Sequence, residues 1–126
     1  MPRINVVLYR ETDGKVPFIT WYDSLQPKAQ AKCMVRLERL AVEGHLLRRP
    51  EADYLSDGIY ELRARHEGVR YRILYFYFGK DVIVISHGFS KTQARVPTRE
   101  LRRAHARKKA FERQPTMHTC EVDHPW

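Results

Sequence analysis

Two cysteines in 126 residues, Cys33 within an amphipathic stretch and Cys120 in a polar C-terminal segment, rule out a disulfide framework as the basis of this fold. Long apolar runs are missing as well: none approaches the roughly 18 residues needed to span a bilayer. The start MPRINVVLYRETDG lacks the apolar segment of a secretory signal, so the expectation is a cytoplasmic protein with no membrane partner. There is no Walker loop, dinucleotide fingerprint, HExxH or internal repeat. His118, Cys120 and His124 match no four-ligand zinc spacing, and neither a metal nor a cofactor is expected. Acidic residues are scarce, 15 against 23 Lys and Arg, for a net charge of +8. That imbalance, with a pI near 9.8, points to an acidic partner: nucleic acid, an anionic membrane surface or an acidic protein. What is present is the material of a core, with 43% hydrophobic and 11% aromatic residues, and a length suited to one domain.

Ile4 to Tyr9 is apolar and rich in β-branched residues, and the polar turn Glu11-Thr12-Asp13-Gly14 ends it, so it reads as a strand. From Pro17, the residues Phe18, Trp21, Tyr22 and Leu25 recur at helical spacing and read as a core-facing helix. Pro27 opens a second helix, with Cys33, Met34, Leu37, Leu40 and Ala41 on one face and Gly44 as its stop; Lys28, Lys32, Arg36 and Arg39 take the wetter side. His45 to Gly58 reads as a linking loop. Near the end, Lys91 to Pro97 connects to a helix from Arg99 to about Arg113 with Thr98 as its N-cap. Its Arg99, Arg102, Arg103, Arg107, Lys108, Lys109 and Arg113 make it the most basic helix of the chain. A solvated face is the usual meaning of such a helix, but the sign bias suggests attraction to a polyanion. The domain is placed at residues 1–113, and residues 114–126 read as a flexible tail.

The most informative stretch is Tyr60 to Lys91. Alternation in Tyr60–His66 and Val69–Phe78, around Glu67-Gly68, predicts a two-residue β-hairpin. The register then sets Arg65 opposite Arg70, Arg63 opposite Arg72 and Leu62 opposite Ile73. One face carries four guanidinium groups, while Leu62, Ala64, Tyr71, Ile73 and Tyr75 form the core side. Like charges directly opposite are unfavourable by roughly 0.2–1 kcal/mol per pair, so an anion is expected to compensate. A third strand, Asp81 to Phe89, is expected to pair Phe76 with Ile83, Leu74 with Ile85 and Arg72 with His87, with Lys91 just beyond its end. Guanidinium forks match phosphate oxygens, and an imidazole moves a proton near neutral pH. Arg63, Arg72, His87 and Lys91 are therefore the candidate catalytic set for chemistry on a phosphate, and Arg65, Arg70, Arg99, Arg102 and Arg103 the candidate contacts to a polyanion. The competing reading is a solvated basic surface.

The order strand, two helices, three antiparallel strands and basic helix resembles the RelE superfamily of bacterial toxins. DGIYELRARHEGVRYRILYFYFGKDVIVISHGFSKTQARVP is similar to its phage-related HigB-like branch, where a YELR strand, a YRILY strand and an HGF segment followed by a lysine recur. The resemblance covers roughly Ile4 to Arg113 and is specific over Asp57 to Pro97. It implies an α+β, RelE-like fold: a small, antiparallel-dominated sheet with an N-terminal helical hairpin on one face and a C-terminal basic helix. The implied function is that of a type II toxin–antitoxin toxin: an mRNA endonuclease, acting with the ribosome to inhibit translation, held inactive by a helix-turn-helix, HigA-like antitoxin. Arg72 matches the arginine that contacts the scissile phosphate, Arg63 and Arg65 lie at basic strand positions, and Lys91 lies near a basic position after the last strand. The last helix departs from the pattern, offering His105 but no tyrosine as an acid or base. Because RNA brings its own 2′-hydroxyl nucleophile, such cleavage needs no metal and leaves a 2′,3′-cyclic phosphate. The same superfamily includes ParE-like inhibitors of DNA gyrase and inactive members, so a non-catalytic binding protein is the alternative.

Overall fold

Pro17 and Pro27 each occupy the first helical position, where a missing N–H costs nothing. They begin α1 (Pro17–Asp23) and α2 (Pro27–Glu43) in the computed structural model, which describes residues 4–91 and 95–122, with the backbone alone at Lys91. Gly44 ends α2 at φ 52°, its N–H bonded to the Leu40 carbonyl. Among the described residues six strands form one open sheet: β1 (Asn5–Tyr9), β2 (Ala52–Ser56), β3 (Ile59–His66), β4 (Val69–Phe78), β5 (Val82–Lys91) and β6 (Thr119–Cys120). Their order is β2-β3-β4-β5-β1-β6, and among the described residues only β1 with β5 is parallel. With α3 (Thr98–Arg113) and the single turn α4 (Pro115–His118), the chain is α+β. No helix among the described residues is long and apolar enough to cross a membrane.

The β3–β4 hairpin forms as the alternation dictates. Glu67 and Gly68 both take positive φ, 50° and 80°, the conformation that matches a two-residue turn to the twist of its strands. Arg63 faces Arg72 and Arg65 faces Arg70. Strand alternation then separates two cores. Leu62, Ala64, Tyr71, Ile73 and Tyr75 pack with Phe18 of α1 and Cys33, Leu37 and Leu40 of α2. On the other face Ile59, Leu74, Phe76 and Val84 pack with Ala104 and Phe111 of α3.

Three expectations are corrected. The segment His45 to Gly58 is not simply a linker: after a 3-10 turn at Gly44–Leu46 it supplies edge strand β2, which turns back through Asp57 (φ 47°) and Gly58 (φ 83°). That Asp-Gly pair is itself a hairpin signal. Residues 114–122 of the segment expected as a flexible tail instead add α4 and β6, with Leu8 opposite Cys120 and Tyr9 opposite Thr119, and residues 123–126 of that expectation lie outside the described residues. His118 is buried there, stacked on Tyr9 at 5.0 Å and hydrogen-bonded to the Arg10 carbonyl at 2.8 Å.

The β5 register is also different. The β4–β5 loop holds three residues, Gly79 to Asp81, so that Phe78 pairs with Val82 and Tyr77 with Ile83. An odd shift moves every side chain to the other face, and Ile83 and Ile85 accordingly join the core under α1 and α2. The register then slips once more between Ile85 and His87, with Ser86 as the extra residue of a bulge. The bulge returns His87 to the face carrying Arg72, as expected, but opposite Leu74; Arg72 instead faces Phe89.

Candidate functional site

Strand β2 pairs with β3 only as far as Ala52 opposite Leu62, with one further bond from the Arg63 N–H to the Glu51 carbonyl. Beyond it the hairpin projects with its guanidinium groups. Above this edge lies α2, whose Arg36 donates to the Arg63 carbonyl at 2.9 Å. The result is a hollow of about 430 Å³ lined by Arg36, Arg63, Arg65, Arg70 and Arg72, with Pro50 and Ala64 completing the wall.

The expected compensating anions are partly internal. Glu61 alternates onto the same face as Arg63, and its side chain is only 4% exposed. Arg72 Nε lies 2.7 Å from Glu61 Oε1, a close charge contact in which neither atom has an aligned hydrogen bond. Arg63 Nη2 reaches Glu61 Oε2 at 3.3 Å and Asp53 Oδ2 at 3.2 Å, and Asp53 is held in turn by Arg49 at 2.9 Å. The Arg49 hydrogen bond keeps the Asp53 carboxyl below its ordinary pKa. Burial, together with Arg63 and Arg70, lowers the Arg72 pKa against the pull of Glu61. Two carboxylates thus serve three arginines, Arg49, Arg63 and Arg72. Among the described residues Arg36 and Arg65 have no carboxylate partner, so the hollow retains an excess of positive charge with donors suited to phosphate oxygens.

His87 is not in this hollow. It sits beneath α3 with its Nε2 3.1 Å from Glu100 Oε1 and its Nδ1 2.8 Å from Ser86 Oγ. A carboxylate only accepts, so Nε2 carries the proton and Nδ1 accepts from the serine hydroxyl. Burial and the Arg107 guanidinium outweigh Glu100 and hold the imidazole pKa down at about 4, which leaves the ring neutral with both nitrogens engaged. It lines a separate hollow of about 400 Å³ with Trp21, Arg103 and Arg107.

Of the nine residues singled out from the sequence, Arg63, Arg65, Arg70 and Arg72 come together. Lys91 ends β5 opposite Arg70, but its side chain lies outside the described residues. Arg99 and Arg102 are exposed on α3, and Arg103 bonds Glu100 at 3.1 Å, so these three belong to the α3 side. Sequence reasoning missed Arg36, which only the seating of α2 on the sheet brings in. It also missed Glu61, although the alternation of Tyr-Glu-Leu-Arg already placed that carboxylate beside Arg63.

No curated protein matches the chain. Residues 20–109, from within α1 through most of α3, match the family described as Phage derived protein Gp49-like (DUF891), and with most of its length covered the chain belongs to that family.

Proposed function

We propose that the chain is the toxin of a type II toxin–antitoxin system, with a RelE-like fold of the HigB-like branch, and that it cleaves mRNA without a metal by attack of the RNA 2′-hydroxyl. The observation that carries this reading is the arginine hollow, where Arg36 and Arg65 lack carboxylate partners among the described residues beside Arg63 and Arg72. Membership of a phage-derived family supports a toxin-like protein.

In this reading the scissile phosphate sits among Arg63, Arg65, Arg70 and Arg72, and Lys91 neutralises charge as the phosphorane-like state forms. Preorganised donors of this kind contribute about 3 kcal/mol for one important group. Glu61, ion-paired to Arg63 and Arg72, orients the Arg72 guanidinium. For His87 to move a proton, its Nε2 must exchange Glu100 for the substrate. Arg99, Arg102 and Arg103 draw in more distant phosphates. The partners are mRNA, on the ribosome, and a helix-turn-helix antitoxin of acidic complement, encoded beside the toxin.

The test is expression in cells with mapping of RNA ends, using Arg65→Ala because its exposed side chain leaves the fold intact. Cyclic phosphate ends that diminish with Arg65→Ala support the reading. Intact messages with altered DNA supercoiling favour a gyrase inhibitor of the same fold, and a chain that arrests growth in no host is an inactive member. One observation favours such a binding protein: Arg72 is already paired with Glu61, and both His87 nitrogens are occupied.

A further inference from the structure

The parallel pair of β1 and β5 borders a second hollow, apart from the arginine hollow. Strands β1 and β5 run side by side from Asn5 opposite Val82 to Leu8 opposite Ile85. After β1 the chain passes to α1 on one face of the sheet, and after β5 to α3 on the other. Adjacent parallel strands whose next helices lie on opposite faces leave a crevice at their carboxyl ends, the recurrent ligand position of open sheets. Here β1 stops at Tyr9 while β5 continues, so the hollow of about 400 Å³ opens between α1 and α3, within the roughly 300–1,000 Å³ of small-molecule sites.

Its walls are chemically divided. Trp21 of α1 lies against the backbone of Gly88, where any Cβ would collide with the indole ring. The ring is fixed further by Phe18 at 5.8 Å and Tyr71 at 6.3 Å, yet remains partly exposed. Facing it are Lys15, Arg103 and Arg107 with one lining carboxylate, Glu11. Glu11 Oε1 takes the Arg107 Nε at 2.9 Å, while the buried Arg107 Nη1 has no hydrogen-bond partner. Lys15 is held only loosely, 4.0 Å from Asp13. His87 lines the crevice, its Nε2 bonded to Glu100, which also accepts from Arg103 Nη1 at 3.1 Å.

We infer that this crevice binds a nucleoside phosphate, the base stacked on Trp21 and the phosphate taken by Lys15, Arg103 and Arg107. A flat π-face against a preset indole, and an anion against guanidinium groups with donors to spare beyond their bonds to Glu100 and Glu11, are the pairing used for single-stranded nucleic acid. The nucleotide is either a free mononucleotide or one unit of an RNA strand. The site stands apart from the arginine hollow, and its existence does not depend on cleavage.

The experiment uses the full chain carrying Trp126→Phe, which leaves Trp21 as the sole tryptophan of two, and follows its emission. The probes are AMP, UMP, inorganic phosphate and a 2′-O-methyl oligoribonucleotide that cannot be cleaved. Saturable quenching by the mononucleotides and the oligonucleotide, weakened about tenfold by Arg103→Glu or Lys15→Glu, is the expected result, since losing a charge-assisted contact costs about 1.5 kcal/mol. Inorganic phosphate competes without quenching. Quenching by the oligonucleotide alone, with the same sensitivity, assigns the site to a strand. No quenching by any probe, or quenching abolished by Arg65→Glu and untouched by Arg103→Glu and Lys15→Glu, overturns the proposal. Because no probe is cut, each outcome is read independently of the endonuclease reading.

Discussion

Replacing Arg72 by Met tests the link between stability and site at the buried pair. Glu61 and Arg72 side chains are 4% and 10% exposed, so removing the guanidinium leaves a carboxylate out of water with one charge partner fewer. Breaking a buried pair from one side costs about 3–5 kcal/mol. Arg63 Nη2 remains 3.3 Å from Glu61 Oε2, which places the expected loss near the lower end, about 3 kcal/mol. The double variant Glu61→Gln, Arg72→Met removes both charges and leaves Arg63 on Asp53, and should recover all but about 1 kcal/mol of that loss. Urea unfolding midpoints of the two single variants and the double complete the cycle. An Arg72→Met loss under about 1 kcal/mol, or a double variant no more stable than the single, would refute the argument that Glu61 and Arg72 compensate each other. The same cycle has a functional use. Under the proposed function, an Arg72→Met chain that arrests no growth is ambiguous, because it is destabilised, whereas the same result for a stable double variant reports on the hollow itself.

Three further outcomes are expected. His87 titrates near 4 when folded and near 6.5 when unfolded, so below pH 6.5 the unfolded chain takes the proton first. Stability contributed by the neutral ring is complete above that range and falls toward pH 4, by about 2 kcal/mol between pH 8 and pH 5. His87→Gln should flatten that part of the profile, and an unchanged slope would count against a buried neutral imidazole. Burial pushes the Cys33 thiol up to about 12, so thiol alkylation of the folded protein should modify Cys120 and leave Cys33 until denaturant is added; mass spectrometry of the labelled peptides decides it. Gly88→Ala drives a methyl into the Trp21 ring and should cost about 1–3 kcal/mol in overpacking, together with a shift in indole emission; a variant as stable as the parent, with an unmoved spectrum, would contradict the contact.

What was legible in the sequence was local or periodic. The Glu67-Gly68 turn, the Arg63–Arg72 and Arg65–Arg70 pairs and the helix starts at Pro17 and Pro27 follow from backbone conformations that a few neighbouring residues impose. The Arg65–Arg70 and Arg63–Arg72 rows are therefore legible in the sequence itself. Strand β2 was missed although Asp57-Gly58 marks its turn, because Ala52 to Ser56 is short and carries a Pro just upstream.

The tertiary structure decided what lies next to those rows. A three-residue loop and the extra Ser86 each reversed the faces of β5, so that His87 reached the expected face by two compensating shifts and still missed Arg72. Neither shift has a compositional mark, since a bulge is selected by the packing of the whole strand between its neighbours. Arg36 entered the hollow because α2 lies on β3, and the crevice between Trp21 and Arg107 exists because β1 and β5, more than seventy residues apart by register, run parallel. The chain's own residues set which charges share a strand face; contacts between distant segments set which of them find carboxylates and which are left for a ligand, because burial and pairing are properties of neighbours in space.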